Sequence, residues 1–438
     1  MNYNTYALPN GLRIIHRHAD TPVVYCGYAI ATGARHEHND QYGLAHFCEH
    51  MTFKGTERLS SLQVINTLER VGGDLNAFTT KQDTFYYATV LRKDFPRAVR
   101  LLTDIVFRST YPQTEIDKEV EVICDEIESY NDSPADLIYD EFENIIFEST
   151  PLGHNILGTS ERVRSFNTAD ALAFTRTNYT PANAVFYVLG NISFPQLIKS
   201  LTSLLPSHPL SSSFHSPHTP SGVPFFAARQ QSSISPISSP NPFPQSPTPP
   251  APIIKSIDSH QAHVIIGTAI PKPQTEDPEG TTPLSPALFL LNNILGGPSM
   301  NSRFNLALRE KRGLVYSVDS TITTYSDTYL WTTYLGCDPE DVNRCLRLIH
   351  SEISRLQRAP LSPTSLRRAK QQLKGQLTLA AENRENFAID MAKQYLHRHT
   401  LKSNDDLFQR IEAVSADHIL YIAQHYLAPS SLTTLIMK

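Results

Sequence analysis

Cysteine is scarce in this 438-residue chain and poorly spaced for chemistry. Cys26, Cys48, Cys124, Cys337 and Cys345 are odd in number and contain no C-x-x-C pair, which argues against a disulfide framework and a cysteine zinc site and fits a reducing compartment. An excess of base is missing too: 38 Lys and Arg against 43 Asp and Glu leave a net charge of -5, with no electrostatic footprint for nucleic acid or anionic lipid. No apolar run approaches the roughly 18 residues of a membrane helix, and Met1 to Arg13 holds neither the basic nor the apolar part of a leader. Partners are therefore expected to be neither nucleic acid nor membrane.

Single cores stop growing at about 250–300 residues, so more than one domain is expected here. Proline marks the division: 13 of the 31 prolines fall in residues 206–252, a serine-rich stretch whose only charged residue is Arg229. Such a segment cannot bury a core and reads as a Pro/Ser-rich linker. It separates residues 1–205 from residues 253–438. Each flank opens with strand-like runs (Leu12 to His16 and Val23 to Ala31; Ile253 to Ile257 and His263 to Ile270) and continues into helical patterns. Helix-like Leu44 to Lys54 and Leu62 to Val71, then Gly72-Gly73 and strand-like Thr84 to Leu91, match Leu288 to Leu295, helix-like Ser302 to Lys311, and strand-like Val315 to Thr321 and Tyr329 to Leu335. The fold expected is α+β: two homologous sandwich-like halves, each an antiparallel-rich sheet with helices on one face.

The sharpest chemical signal is His46-Phe47-Cys48-Glu49-His50, an H-x-x-E-H arrangement. On a helix, His50 lies about 40° from His46 and Glu49 about 60° to the other side, so all three leave one face. Two imidazoles there can share a metal, although a helix whose histidines merely line a core gives the same pattern. A catalytic zinc site needs a third protein ligand. The acid-rich segment Glu115 to Asp132 offers one: if helical, Ile116, Val120, Val122, Ile123 and Ile127 mark its apolar face, with Glu119 and Glu126, about 20° apart in azimuth, at the border. That selects Glu126 as ligand and Glu119 as a carboxylate that could orient one. Glu121, Asp125 and Glu128 read as a solvated face. Cys48, about 200° from His46, points into the core. His16 with His18 and His397 with His399, pairs suited to share a strand face, read as structural or solvated, as do His36 and His38.

These residues resemble the M16 family of inverzincin metallopeptidases, in particular its processing-peptidase β-like branch. The likeness rests on Leu8 to Arg13, on Gly43-Leu44-Ala45-His46-Phe47-Cys48-Glu49-His50-Met51-Thr52-Phe53-Lys54-Gly55-Thr56, on Gly72 to Thr79, on Glu119 to Glu126, and on Leu308 to Ser317 with its Arg309 and Tyr316. The resemblance implies one Zn2+ per chain on His46, His50 and Glu126, lowering the pKa of a bound water to about 7, with Glu49 as general base in peptide hydrolysis. It also implies that Arg309 and Tyr316 hold the substrate carbonyl, and that an extended peptide adds as a strand near Asn76-Ala77-Phe78-Thr79. Asn76 suits a turn after Gly72-Gly73 equally well. Further implications are substrates that are unfolded peptides or short presequence-like segments, a homodimer or a heterodimer with a paralogue, and the bacterial cytoplasm as compartment. The alternative is a non-catalytic structural or regulatory subunit of the same fold, which typically loses the metal residues retained here.

Overall fold

The structure, a computed structural model, describes residues 3–205, 250–257, 259–272, 284–401 and 403–438. Most of the Pro/Ser-rich stretch, residues 206–249, lies outside the described residues.

The first half runs β1 (Tyr3–Ala7), β2 (Arg13–Arg17), β3 (Val23–Ile30), α1 (Leu44–Thr52), α2 (Ser61–Glu69), β4 (Asp74–Thr79), β5 (Thr84–Leu91), α3 (Phe95–Arg108), α4 (Gln113–Asn131), α5 (Pro134–Ile146), α6 (Ser160–Val163), α7 (Thr168–Asn178), β6 (Ala184–Leu189) and α8 (Phe194–Leu204). Its sheet has the order β1-β2-β6-β3-β5-β4. The second half runs β7 (Ile253–Lys255), β8 (Ala262–Pro271), α9 (Leu284–Gly296), a π-helical turn (Asn305–Glu310), β9 (Val315–Thr324), β10 (Thr328–Cys337), α10 (Val342–Arg358), α11 (Pro363–Ala380), α12 (Arg384–Arg398), α13 (Asn404–Glu412), α14 (Ala416–Tyr426) and β11 (Thr433–Met437). Its sheet order, β7-β11-β8-β10-β9, repeats β2-β6-β3-β5-β4 strand for strand. The pairing senses repeat as well: β2/β6 and β7/β11 are parallel and every other pair is antiparallel. Two copies of one α+β unit therefore form the chain.

Each sheet buries one face under its own helices. Beneath the first lie Tyr28, Tyr86 and Phe186 with Phe47 of α1 and Leu102 and Ile105 of α3; beneath the second lie Ile266 and Trp331 with Leu291 of α9 and Ile349 of α10. The opposite face of each sheet is covered by a helix from the other half. Ala388, Met391, Ala392 and Leu396 of α12 pack on Ile15, Ala29, Phe85 and Tyr187. Ile138 and Phe142 of α5 pack on Ile265, Leu330 and Leu435. A Cβ at Gly267 on β8 would stand 2.9 Å from the Phe142 ring, so glycine is what lets α5 approach. The halves thus exchange one helix each, an addition to the expected one-faced arrangement.

Local departures have plain causes. Residues 302–311, expected as an ordinary helix, instead close the π-helical turn. His397 belongs to α12 and His399 is its left-handed C-cap, with φ 56°, so this pair shares no strand face. Val122 is exposed, because it sits about 100° around α4 from Ile123, outside the stripe of Ile116, Val120, Ile123, Cys124 and Ile127.

Candidate metal centre

Helix α1 has one apolar and one polar stripe. Leu44, Ala45, Phe47, Cys48 and Met51 are buried in the first core, and Cys48 Sγ points to the carbonyl of Ala171, away from the histidines. Burial raises the Cys48 thiol well above its usual range. His46, Glu49 and His50 form the other stripe, beside α4 and β4. The two imidazoles stand 4.7 Å apart in a T-shaped arrangement.

Glu126 of α4 meets both rings: His50 Nε2 lies 3.2 Å from its Oε2 and His46 Nε2 3.8 Å from its Oε1. One ligand atom from each of His46, His50 and Glu126 lies within 4.8 Å of the others. Zinc bonds of 2.0–2.1 Å make a tetrahedral edge of about 3.4 Å, close to the 3.2 Å from His50 Nε2 to Oε2, while His46 Nε2 lies 3.8 Å from the other oxygen. Two imidazoles and one carboxylate are also the donor set of a catalytic zinc with one position left for water. The residues present therefore fit the ion.

Electrostatics agree. Burial, then the neighbouring His50, push the His46 pKa down to about 4, so its ring is neutral and free to donate a lone pair. Burial would also lower His50, but hydrogen bonds with Glu119 and Glu126 outweigh it and lift the pKa to about 9; metal binding must expel that proton. His50 Nδ1 lies 3.2 Å from Glu119 Oε1, and Lys54 Nζ 2.5 Å from Glu119 Oε2. Burial alone would raise Glu119; its bonds from His50 and Lys54 prevail and hold its carboxyl below the usual range. With Nδ1–H donated to Glu119, His50 presents Nε2 as the ligand atom. Lys54, one turn beyond His50, is the partner that sequence reasoning left out.

Glu49 is 9% exposed, and its Oε2 is buried without a hydrogen-bond partner among the described residues. Burial raises its pKa, partly offset by a bond from the Thr79 hydroxyl. Thr79 ends β4, which among the described residues is the outermost strand of its sheet and pairs only with β5. Asn76 lies within that strand, which replaces the turn reading, and its Oδ1 accepts from the amide of Ala77. Ala77 and Phe78 point to opposite faces, one toward the α1 core and the other stacked on Phe85 at 4.8 Å. Arg309 sits on the π-helical turn, 44% exposed at its side chain and 3.8 Å from Glu310. Tyr316 on β9 is 88% exposed. Among the described residues no hydrogen bond or ion pair joins either of them to His46, Glu49, His50 or Glu126.

The fold and the site together define a chain of two like lobes, the first of which bears the histidine–carboxylate cluster found among the described residues. Residues 13–160 match the family model "Insulinase (Peptidase family M16)" and residues 165–373 match "Peptidase M16 inactive domain". The uncharacterized zinc protease YmxG of Bacillus subtilis is 30% identical over 96% of this chain and 94% of its own length. The bovine mitochondrial-processing peptidase subunit beta is 28% identical over 97% of this chain and 82% of its own. The chain belongs to peptidase family M16. A protease from Helicobacter pylori shares its fold at a TM-score of 0.82 and 19% identity, covering 100% of this chain and 99% of the other. Among the described residues no helix is long and apolar enough to cross a membrane.

Proposed function

We propose that the chain is a zinc-dependent endopeptidase acting on unfolded peptides or short presequence-like segments. The convergence of His46, His50 and Glu126, with Glu49 buried beside them, is the observation that carries this reading. One zinc ion per chain, held by those three residues, would supply a Lewis acid that brings the pKa of a coordinated water to about 7. Glu49 would take a proton from the attacking water on Oε2, which has no partner among the described residues, as the water oxygen bonds the peptide carbonyl carbon, and would return it to the leaving amine nitrogen as the C–N bond breaks. A carboxylate whose pKa burial has raised suits both halves of that exchange. The free edge of β4 pairs with the extended substrate through main-chain bonds, and Thr79 ties that edge to Glu49.

Arg309 and Tyr316 are proposed to steady the substrate carbonyl as negative charge develops. The exposure of Tyr316, which has no hydrogen bond to the cluster among the described residues, supports supply of this pair by a facing chain, a second copy or a paralogue. A relative named as a subunit of a mitochondrial-processing peptidase supports both a paired assembly and a processing-type substrate.

Glu49→Gln tests the chemistry. It is expected to keep zinc near the wild-type content while hydrolysis of a fluorescence-quenched peptide falls at least about a hundredfold. Retained hydrolysis would remove the role of Glu49, and a wild-type chain lacking both zinc and hydrolysis would point to the non-catalytic subunit.

A further inference from the structure

The metal helix begins without an ordinary cap. Its N-cap is Gly43, in the left-handed region at φ 96°, and a Cβ there would stand 2.7 Å from the Leu157 carbonyl, so no capping side chain fits. Leu44 N donates to the Gln41 carbonyl at 2.9 Å, and the amides on either side of it are met by Glu37, six residues upstream of Gly43. Its Oε2 accepts from Gly43 N at 3.0 Å and its Oε1 from Ala45 N at 2.7 Å. The carboxylate is fully buried, at the positive end of the helix dipole.

His154 holds Glu37 in place. Its Nε2 lies 3.1 Å from both Glu37 Oε2 and the Ala34 carbonyl, and its ring stacks on Tyr42 with centroids 3.8 Å apart. The His154 carbonyl in turn accepts from Lys81, which stands 3.9 Å from Glu143 of α5. Ala34 and Arg35 are bonded through their amides to Thr80 and Lys81, in the turn that follows β4. The loop before α1 is thereby fixed to the same hairpin that carries the substrate edge.

His46 is the next residue after Ala45. A ligand nitrogen on such a side chain stands about 6 Å from the helix axis, so each 10° of rotation moves it by about 1 Å. That exceeds the tolerance of a metal site or a catalytic constellation. We infer that Glu37, clamped by His154, is a positioning residue that sets the rotation of α1 and hence the placing of His46 and Glu49. This rests on the reading of α1 as the metal helix.

The test is Glu37→Gln, which keeps the shape and one acceptor oxygen but removes the charge. Zinc affinity by chelator competition is expected to fall about 10- to 100-fold, the usual effect of losing a residue that supports a ligand. The visible spectrum of the Co2+-substituted chain should change, and kcat should fall with KM nearly constant. Wild-type zinc affinity and Co2+ spectrum in Glu37→Gln, even with a lowered melting temperature, would reduce Glu37 to a structural cap and overturn the inference. A wild-type chain that binds no zinc would overturn the metal-site reading itself. If Glu37→Gln does not fold, Tyr42→Leu, which removes the ring stacked on His154, is measured in the same way; weaker zinc binding is expected and unchanged binding overturns the inference.

Discussion

Phe142→Ala probes the helix exchange where it is tightest. Phe142 is fully buried on α5, yet its surroundings belong to the second sheet: Ile265, Leu330 and Leu435, with Gly267 directly against the ring. Core Phe→Ala changes cost about 3–5 kcal/mol, least where neighbours can move in. Glycine at 267 offers no side chain to fill the space, so about 4 kcal/mol is expected, close to a thousandfold in the folding equilibrium at about 1.4 kcal/mol per decade. Trp331, the single tryptophan, is fully buried in the second sheet and reports that half in urea titrations. Zinc release, followed with a colorimetric chelator, reports the first. Because α5 belongs to one half and covers the other, both transitions should coincide in the wild type and shift together in Phe142→Ala. Phe142→Leu should cost less than about 1.5 kcal/mol. A loss below about 1 kcal/mol in Phe142→Ala, or a shift of the Trp331 transition that leaves zinc release unmoved, would refute the argument that the exchange couples the halves.

Glu119→Ala should weaken zinc binding about 10- to 100-fold in chelator competition, because His50 loses the acceptor that fixes its ring; unchanged affinity would remove the role of Glu119 in orienting His50. Assembly is read by mixing two inactive variants. An excess of Glu49→Gln with Arg309→Ala should restore peptide hydrolysis through heterodimers that join an intact Glu49 to an intact Arg309, whereas proven subunit exchange without recovery would rule out sites completed by a second copy.

The metal cluster was readable because helical periodicity converts spacing into direction: three residues of α1 and two of α4 leave their helices on shared faces, and the structure brings those faces together. The repeat was readable from matching runs of helix-like and strand-like sequence. Long-range partnership was not. Nothing in the amphipathic patterns of α5 and α12 says that their apolar stripes belong under the other half's sheet, and Glu37 meets His154 across 117 positions without a spacing rule. Strand β4 was ambiguous at Asn76 because asparagine following two glycines carries a turn preference, although Asp74 to Ala77 alternates exposed and half-buried. Val122 misled because a hydrophobic residue on a helix need not share the buried stripe.

The duplicated topology gives the molecule an internal reference for the burden of its own chemistry. Helices α1 and α9 occupy equivalent places, each the first α-helix among the described residues after the long central strand of its sheet. In α9 the buried positions include Leu288, Leu290, Leu291 and Leu295, and the helix holds no ionisable residue, although Asn292 Oδ1 is buried without a partner among the described residues. In α1 the corresponding interior takes in His46 and Glu49, each with a buried polar atom lacking a partner, and a second carboxylate, Glu37, is buried at its start. The unpartnered atoms of His46 and Glu49 oppose folding, whereas the Glu37 carboxylate is met by its three bonds. At this pair of equivalent helices the burden of buried ionisable groups falls on the first lobe, so the second can act as the ballast that keeps it folded.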